Sequence, residues 1–113
     1  LRELSVKDNS LREAAAGVAE VALIKGRIEK LRLRRNDIPA TATKRICEAL
    51  RSSNASLRSL DISWAAFDDG SAAELAGALQ SDRVLEELIL NACSLGDERA
   101  AKIFDALLRN NTL

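Results

Sequence analysis

Four basic side chains within six residues, Lys30, Arg32, Arg34 and Arg35, and a lone tryptophan, Trp64, are the groups in this chain best suited to recognition. Arginine and tryptophan are the residue types most enriched where binding energy concentrates. The same sequence offers little to catalysis. It contains no histidine, which removes the commonest general base and a common metal ligand. No G-x-x-x-x-G-K-[ST], G-x-G-x-x-G or C-x-x-C is present, so the phosphate-cradling and paired-thiol motifs are missing. Asp68-Asp69 and Glu86-Glu87 are adjacent carboxylates, read here as solvated surface. Cys47 and Cys93 read as two buried thiols acting as small hydrophobes, which points to a reducing, intracellular (cytoplasmic) setting. The expectation is a protein that is not an enzyme and that uses no cofactor and no metal.

Whether the arginines and Trp64 meet depends on the elements that carry them. In Leu57-Arg58-Ser59-Leu60-Asp61-Ile62-Ser63-Trp64-Ala65-Ala66-Phe67 the apolar residues fall at positions 1, 4, 6 and 11, with a small residue at position 9. The rule returns as Leu1, Leu4, Val6, Asn9 and Leu11, as Ile28, Leu31, Leu33, Asn36 and Ile38, and as Leu85, Leu88, Leu90, Cys93 and Leu95. Leu113 stands where a fifth copy would begin, and the starts are 27, 29, 28 and 28 residues apart. A fixed period of this length marks stacked repeats, each too small to bury its own apolar face. The segments are 1–27, 28–56, 57–84 and 85–112, with no domain boundary or linker between them. Lysine plus arginine equals aspartate plus glutamate at 17 each, so no global charge argues for nucleic acid or membrane. Neither a secretory leader nor a membrane-length apolar run is evident, and the chain reads as an excerpt of a longer array.

Each repeat opens with apolar–polar alternation, the pattern of a strand with one buried face. The inward residues are Leu4 and Val6, Leu31 and Leu33, Leu60 and Ile62, and Leu88 and Leu90. The second half changes to helical spacing. Ile46 and Leu50, Leu75 and Leu79, and Ile103 and Leu107 are i, i+4 pairs at positions 19 and 23, and alanines at position 22 (Ala49, Ala78, Ala106) allow close packing on the sheet. Successive strands separated by helices must run parallel. Ser71-x-x-Glu74 reads as a capping box, Asp97 as an N-cap, and Pro39 and Thr41 as the start of another helix. Polar runs, Ser52-Ser53-Asn54, Ser81-Asp82-Arg83 and Asn110-Asn111-Thr112, end the helices. The first repeat is looser: Val18 and Ala22 best match the inward pair after a one-residue shift, and Gly26 ends its helix.

These four motifs resemble the leucine-rich repeat family, and in particular its ribonuclease-inhibitor-like subclass of long repeats. The resemblance covers essentially the whole chain. It implies an α/β solenoid, a right-handed horseshoe with parallel strands on the concave face and helices on the convex one. The family usually carries asparagine at position 9, whose side chain satisfies turn backbone groups, or cysteine in its place. Asn9, Asn36 and Cys93 conform, whereas Ala65 leaves its turn to be satisfied by neighbours or water.

On that fold the side chains at positions 3, 5, 7 and 8 line the concave face or its rim. They are Glu3, Ser5, Lys7 and Asp8; Lys30, Arg32, Arg34 and Arg35; Ser59, Asp61, Ser63 and Trp64; and Glu87, Ile89, Asn91 and Ala92. Parallel stacking sets equal positions about 5 Å apart, so Arg32 neighbours Asp61, Asp61 neighbours Ile89, and Arg35 neighbours Trp64. One reading is decoration, with Arg35 stacked on Trp64 and Arg32 paired with Asp61, each contact contributing about 0.5–1 kcal/mol. The other is a partner-binding patch of Arg32, Arg34, Arg35, Asp61, Trp64, Glu87 and Ile89 for a protein carrying an acidic segment, oriented by Glu86 and Glu87. The resemblance implies a protein-interaction scaffold. Its alternatives are a GTPase activator resembling the Ran GTPase activators, or the sensing repeats of a NOD-like receptor. A ribonuclease inhibitor fits poorly, because that relative is cysteine-rich and acidic. A single aromatic gives RNA little to stack on.

Overall fold

The computed structural model describes residues 3–108 apart from 26, 55 and 83, without the side chains of residues 25, 107 and 108. Strands and helices alternate in the order β1 (Glu3–Ser5), α1 (Ala14–Lys25), β2 (Lys30–Arg32), α2 (Ala40–Ser53), β3 (Ser59–Asp61), α3 (Asp69–Ser81), β4 (Glu87–Ile89) and α4 (Gly96–Leu108). The four strands form one parallel sheet in the order β1-β2-β3-β4. Leu4, Leu31, Leu60 and Leu88 pair in register across it. The helices pack in the same order, α1 on α2, α2 on α3 and α3 on α4. A repeat that touches only its neighbours is the signature of a solenoid.

The core lies between sheet and helices, and the motif residues supply it. Leu31, Leu33, Leu60 and Ile62 from the strands meet Ile46, Leu50, Leu75 and Leu79 from the helices, all buried. Ala78 and Ala106 are also buried at position 22, while Ala49 is half-buried. Ile103 is buried in α4; the side chain of its expected partner Leu107, and Leu1, Gly26, Arg83, residues 110–112 and Leu113, lie outside what is described.

Three local expectations are corrected. In α1 the inward pair is Ala19 and Leu23, both buried, whereas Val18 is only half-buried. These are positions 19 and 23 with no shift, so the short repeat loses its residue after the helix. The capping box of α3 is formed by Asp68, whose carboxylate accepts from the Ser71 amide at 2.8 Å while the Ser71 hydroxyl accepts from the Asp68 amide at 2.8 Å. Aspartate wins because its oxygens reach the orphan amides of the first turn, and Ser71 becomes the reciprocal member. Those bonds hold the Asp68 carboxyl below the ordinary aspartate range. Finally, α4 already begins at Gly96, which places Asp97 in its first turn. Pro39 does precede α2, without a side-chain cap.

Turn chemistry repeats with the period. The backbone is left-handed at position 8 of every repeat: Asp8 (φ 59°), Arg35 (59°), Trp64 (70°) and Ala92 (57°). Such a conformation is strained for residues other than glycine and persists only where the surroundings over-determine it. Here the position-8 amide donates to the position-7 carbonyl of the next repeat, Asp8 to Arg34 at 2.9 Å, Arg35 to Ser63 at 3.3 Å and Trp64 to Asn91 at 2.9 Å. Position 9 supplies the second tie. The buried Asn36 amide donates to the Leu33 and Val6 carbonyls, at 3.0 and 2.5 Å, and its oxygen accepts from the Asn9 amide at 3.0 Å. Cys93 imitates this with a thiol, 3.5 Å from the Ile62 carbonyl. Around Ala65 the neighbours substitute: the Ala65 amide takes the Ile62 carbonyl at 3.1 Å, Asp61 accepts from the Ser63 amide at 3.0 Å, and the Ser63 hydroxyl accepts from the Asn91 amide at 3.0 Å.

Candidate binding surface

Strand register and the left-handed turn together decide where each candidate side chain stands. The register pairs Lys30 with Ser59, Arg32 with Asp61, Ser59 with Glu87, and Asp61 with Ile89. Trp64 and Arg35 hold equivalent rim positions one strand apart, and the Arg35 guanidinium carbon lies 4.9 Å from the centre of the indole ring. That is a cation–π stack, contributing about 0.5–1 kcal/mol at an exposed site. Trp64 keeps 48% of its surface exposed. Arg34, half-buried beside it, makes no ion pair with a described residue, and neither does Arg35. The rim at the C-terminal ends of β2 and β3 therefore carries an aromatic plate stacked by Arg35, with Arg34 next to Arg35 in sequence, both without an ion pair to a described residue.

The rest of the sequence-based patch is rearranged. Arg32 does not pair with Asp61; its Nε donates to Glu3 at 3.0 Å, across the other side of β2. Asp61 is 5% exposed, together with buried Ser59 and Ser63. Its carboxylate is spent on the Ser63 amide, a bond that shapes the turn leading to Trp64. The short side chains of β3 are covered by the longer ones of β2 and β4, so Asp61 positions the site and does not face a partner. Glu87 accepts from the Ser59 hydroxyl at 2.5 Å and Glu86 sits 3.3 Å from the Arg58 guanidinium. Both make these contacts at the N-terminal ends of β3 and β4. Ile89 is half-buried on β4. Of these residues the structure brings Arg35 and Trp64 into contact, while Arg32, Asp61 and Glu87 are bonded to Glu3, the Ser63 amide and Ser59.

Sequence reasoning missed a second ladder at the opposite end of the strands. Asn54 Nδ2 donates to the Asp82 carboxylate at 2.8 Å, and Asp82 accepts from the Val84 and Leu85 amides at 2.7 and 2.9 Å. Short polar residues three places before the third and fourth repeats, Asn54 and Asp82, were the available signal. These residues fix the helix-to-strand turns and carry no free group.

Both cysteines are free and buried. Burial, reinforced by Glu74 and Glu48, pushes the Cys47 thiol up to about 12, and burial also raises Cys93. Thiols held protonated are poor nucleophiles and poor metal ligands. Among the described residues no group of three or more His, Cys, Asp or Glu side chains could hold a metal ion. No helix among them is long and apolar enough to cross a membrane.

Strand–helix repeats of this period, with a leucine motif and position-9 asparagines or cysteine, give the chain the architecture of a leucine-rich repeat solenoid. A model of the family described as Leucine Rich repeat matches residues 53–76, the segment containing β3 and the start of α3. Among solved structures, the fold matches "Leiomodin-1 Actin-Binding Site 2 (ABS2)" with a TM-score of 0.84 at 18% identity, covering 98% of this chain and 66% of that one. It also matches the tropomodulin C-terminal domain of Caenorhabditis elegans with a TM-score of 0.58 at 15% identity, covering 97% of this chain and 84% of that one. The chain thus spans just under two thirds of the leiomodin structure. Identities this low speak for the fold. A comparison with curated proteins gives no match.

Proposed function

We propose that the chain is a protein-interaction scaffold that docks a partner on the rim of its concave face, at the C-terminal ends of β2 and β3. The observation that carries the reading is the stack of Arg35 on a half-exposed Trp64, with Arg34 next to Arg35 in sequence and neither cation in an ion pair with a described residue. Solenoids offer extended, shallow surfaces that suit a polypeptide better than a metabolite. Two unpaired cations select an acidic segment and steer its approach. The free, buried thiols are in keeping with an intracellular setting.

Actin is the first defined partner to test, because the leiomodin structure of the same fold is described as an actin-binding site. The Ran-type GTPase activator and the NOD-like sensor rest on the repeat type alone, and no contact at the rim favours either. The experiment compares the folded wild type with an Arg34→Glu, Trp64→Ala double variant in cosedimentation with purified actin and in affinity capture from cell extract. A discrete partner retained by wild type and lost by the variant supports the rim. Identical capture by the two proteins removes the rim from consideration.

A further inference from the structure

Trp64 has two ring faces, and the fold treats them differently. Equal positions on neighbouring parallel strands lie about 4.8 Å apart, so the residues flanking Trp64 at position 8 are Arg35 on one side and Ala92 on the other. Arg35 covers the first face, 4.9 Å from the ring centre. On the other side the adjacent position-8 residue is exposed Ala92, whose side chain is a single methyl group. On the same repeat Ile89 is half-buried and Asn91 exposed.

The plate is held ready for a ligand. The Trp64 amide is bonded to the Asn91 carbonyl at 2.9 Å, the Asn91 amide to the Ser63 hydroxyl at 3.0 Å, and the Ser63 amide to Asp61 at 3.0 Å. These bonds fix the backbone that carries the ring, and the Arg35 stack holds the ring itself, so less freedom is lost on binding and more of the contact energy appears as affinity. A stacked guanidinium keeps its N–H donors at the edge of its plane, where they remain available to a carboxylate.

We infer that the open face of Trp64, above Ala92, is a notch for one apolar side chain of an acidic partner segment whose carboxylates pair with Arg34 and Arg35. The inference rests on the rim reading above and adds what the partner must carry: an apolar residue set among acidic ones. Ala92 then determines specificity, since any longer side chain there would occupy the notch itself.

Trp64 is the only tryptophan in the chain, so intrinsic fluorescence reports on this site alone. The probes are a short glutamate-rich synthetic peptide with a central leucine and the same peptide with serine in its place. The leucine peptide is expected to bind about tenfold more tightly, as partial burial of one such side chain provides, and to shift Trp64 emission to the blue. Ala92→Gln, at a φ that Arg35 and Asp8 already adopt, should retain the wild-type circular dichroism and reduce the leucine peptide to the affinity of the serine peptide. Arg34→Glu should weaken both peptides equally.

Equal affinity of the two peptides for wild type, or an unaltered preference in Ala92→Gln, overturns the notch while leaving an acidic rim site standing. Failure of both peptides to perturb Trp64 at millimolar concentration overturns the notch and the acidic-segment reading together. A short single-stranded oligonucleotide binding more tightly than either peptide would also overturn it, giving the ring face to a base.

Discussion

Leu4 and Leu60 occupy the same position of the same motif, yet Leu60 is buried on β3 and Leu4 is only half-buried on β1. The contrast extends through their repeats. In the third, strand β3 is buried along its whole length and α3 lies between α2 and α4. In the first, Val6 and Val18 are half-buried, and Val21 and Ile24 of α1 are 59% and 69% exposed. Leu4, Val18, Val21, Ala22 and Ile28 line an apolar groove on that side. Both repeats carry the same apolar motif; among the described residues the third has a repeat stacked on each side and the first on one. In a solenoid the stability of a residue is set by the stacking interfaces on its two sides.

The contrast breaks most readily in the core. Leu60→Ala should cost about 3–4 kcal/mol in urea unfolding, with transfer and cavity terms both present, against about half that for Leu4→Ala. Equal costs would mean that the first repeat is as well enclosed as the third.

The turn residues sharpen it next. Asn36→Ala strands buried carbonyls and an amide and should cost about 1–3 kcal/mol. The reverse change, Ala65→Asn, should give no gain, because the carbonyls its amide would meet are already bonded: Ile62 to Ala65 and Cys93, Ser63 to Arg35, and Leu33 to Asn36. A clear rise in melting temperature for Ala65→Asn would show that the neighbours satisfy that turn incompletely.

A smaller effect distinguishes helix starts. Asp68→Ala should lower the melting temperature at neutral pH, whereas Glu13→Ala, ahead of α1 and hydrogen-bonded to the Thr41 hydroxyl, should barely move it. Because the folded Asp68 carboxyl lies below its ordinary 3.8, its stabilisation is complete above that value and is lost as the pH falls through the lower, folded one. The Asp68→Ala deficit must therefore shrink in acid; a deficit that persists there would assign the loss to packing. Smallest of all is Arg35→Gln, which removes an exposed stack of about 0.5–1 kcal/mol and should be read in Trp64 fluorescence sooner than in stability.

Most of the architecture was legible because it is periodic. Apolar residues at positions 1, 4 and 6 specify a strand face, those at 19 and 23 specify a helix stripe, and four copies leave a parallel stack as the way to bury both. The same register placed Arg35 beside Trp64 without any coordinates. The first repeat was misread because its helix is rich in alanine, which fits an inward stripe at several phases; packing against α2 selected Ala19 and Leu23. Charge partners were less legible still. Arg32 had a carboxylate within reach on each side, Glu3 and Asp61, and nothing in the spacing chooses between them. Tertiary structure chose, because Asp61 is short and buried under longer neighbours, where its best partner is the Ser63 amide, while Glu3 is long and exposed and follows the guanidinium outward. The sequence by itself thus determined the repeat, the core and the adjacency of Arg35 and Trp64, since these follow from backbone geometry. Which charges remained free for a partner was decided only by side-chain length and depth in the folded stack.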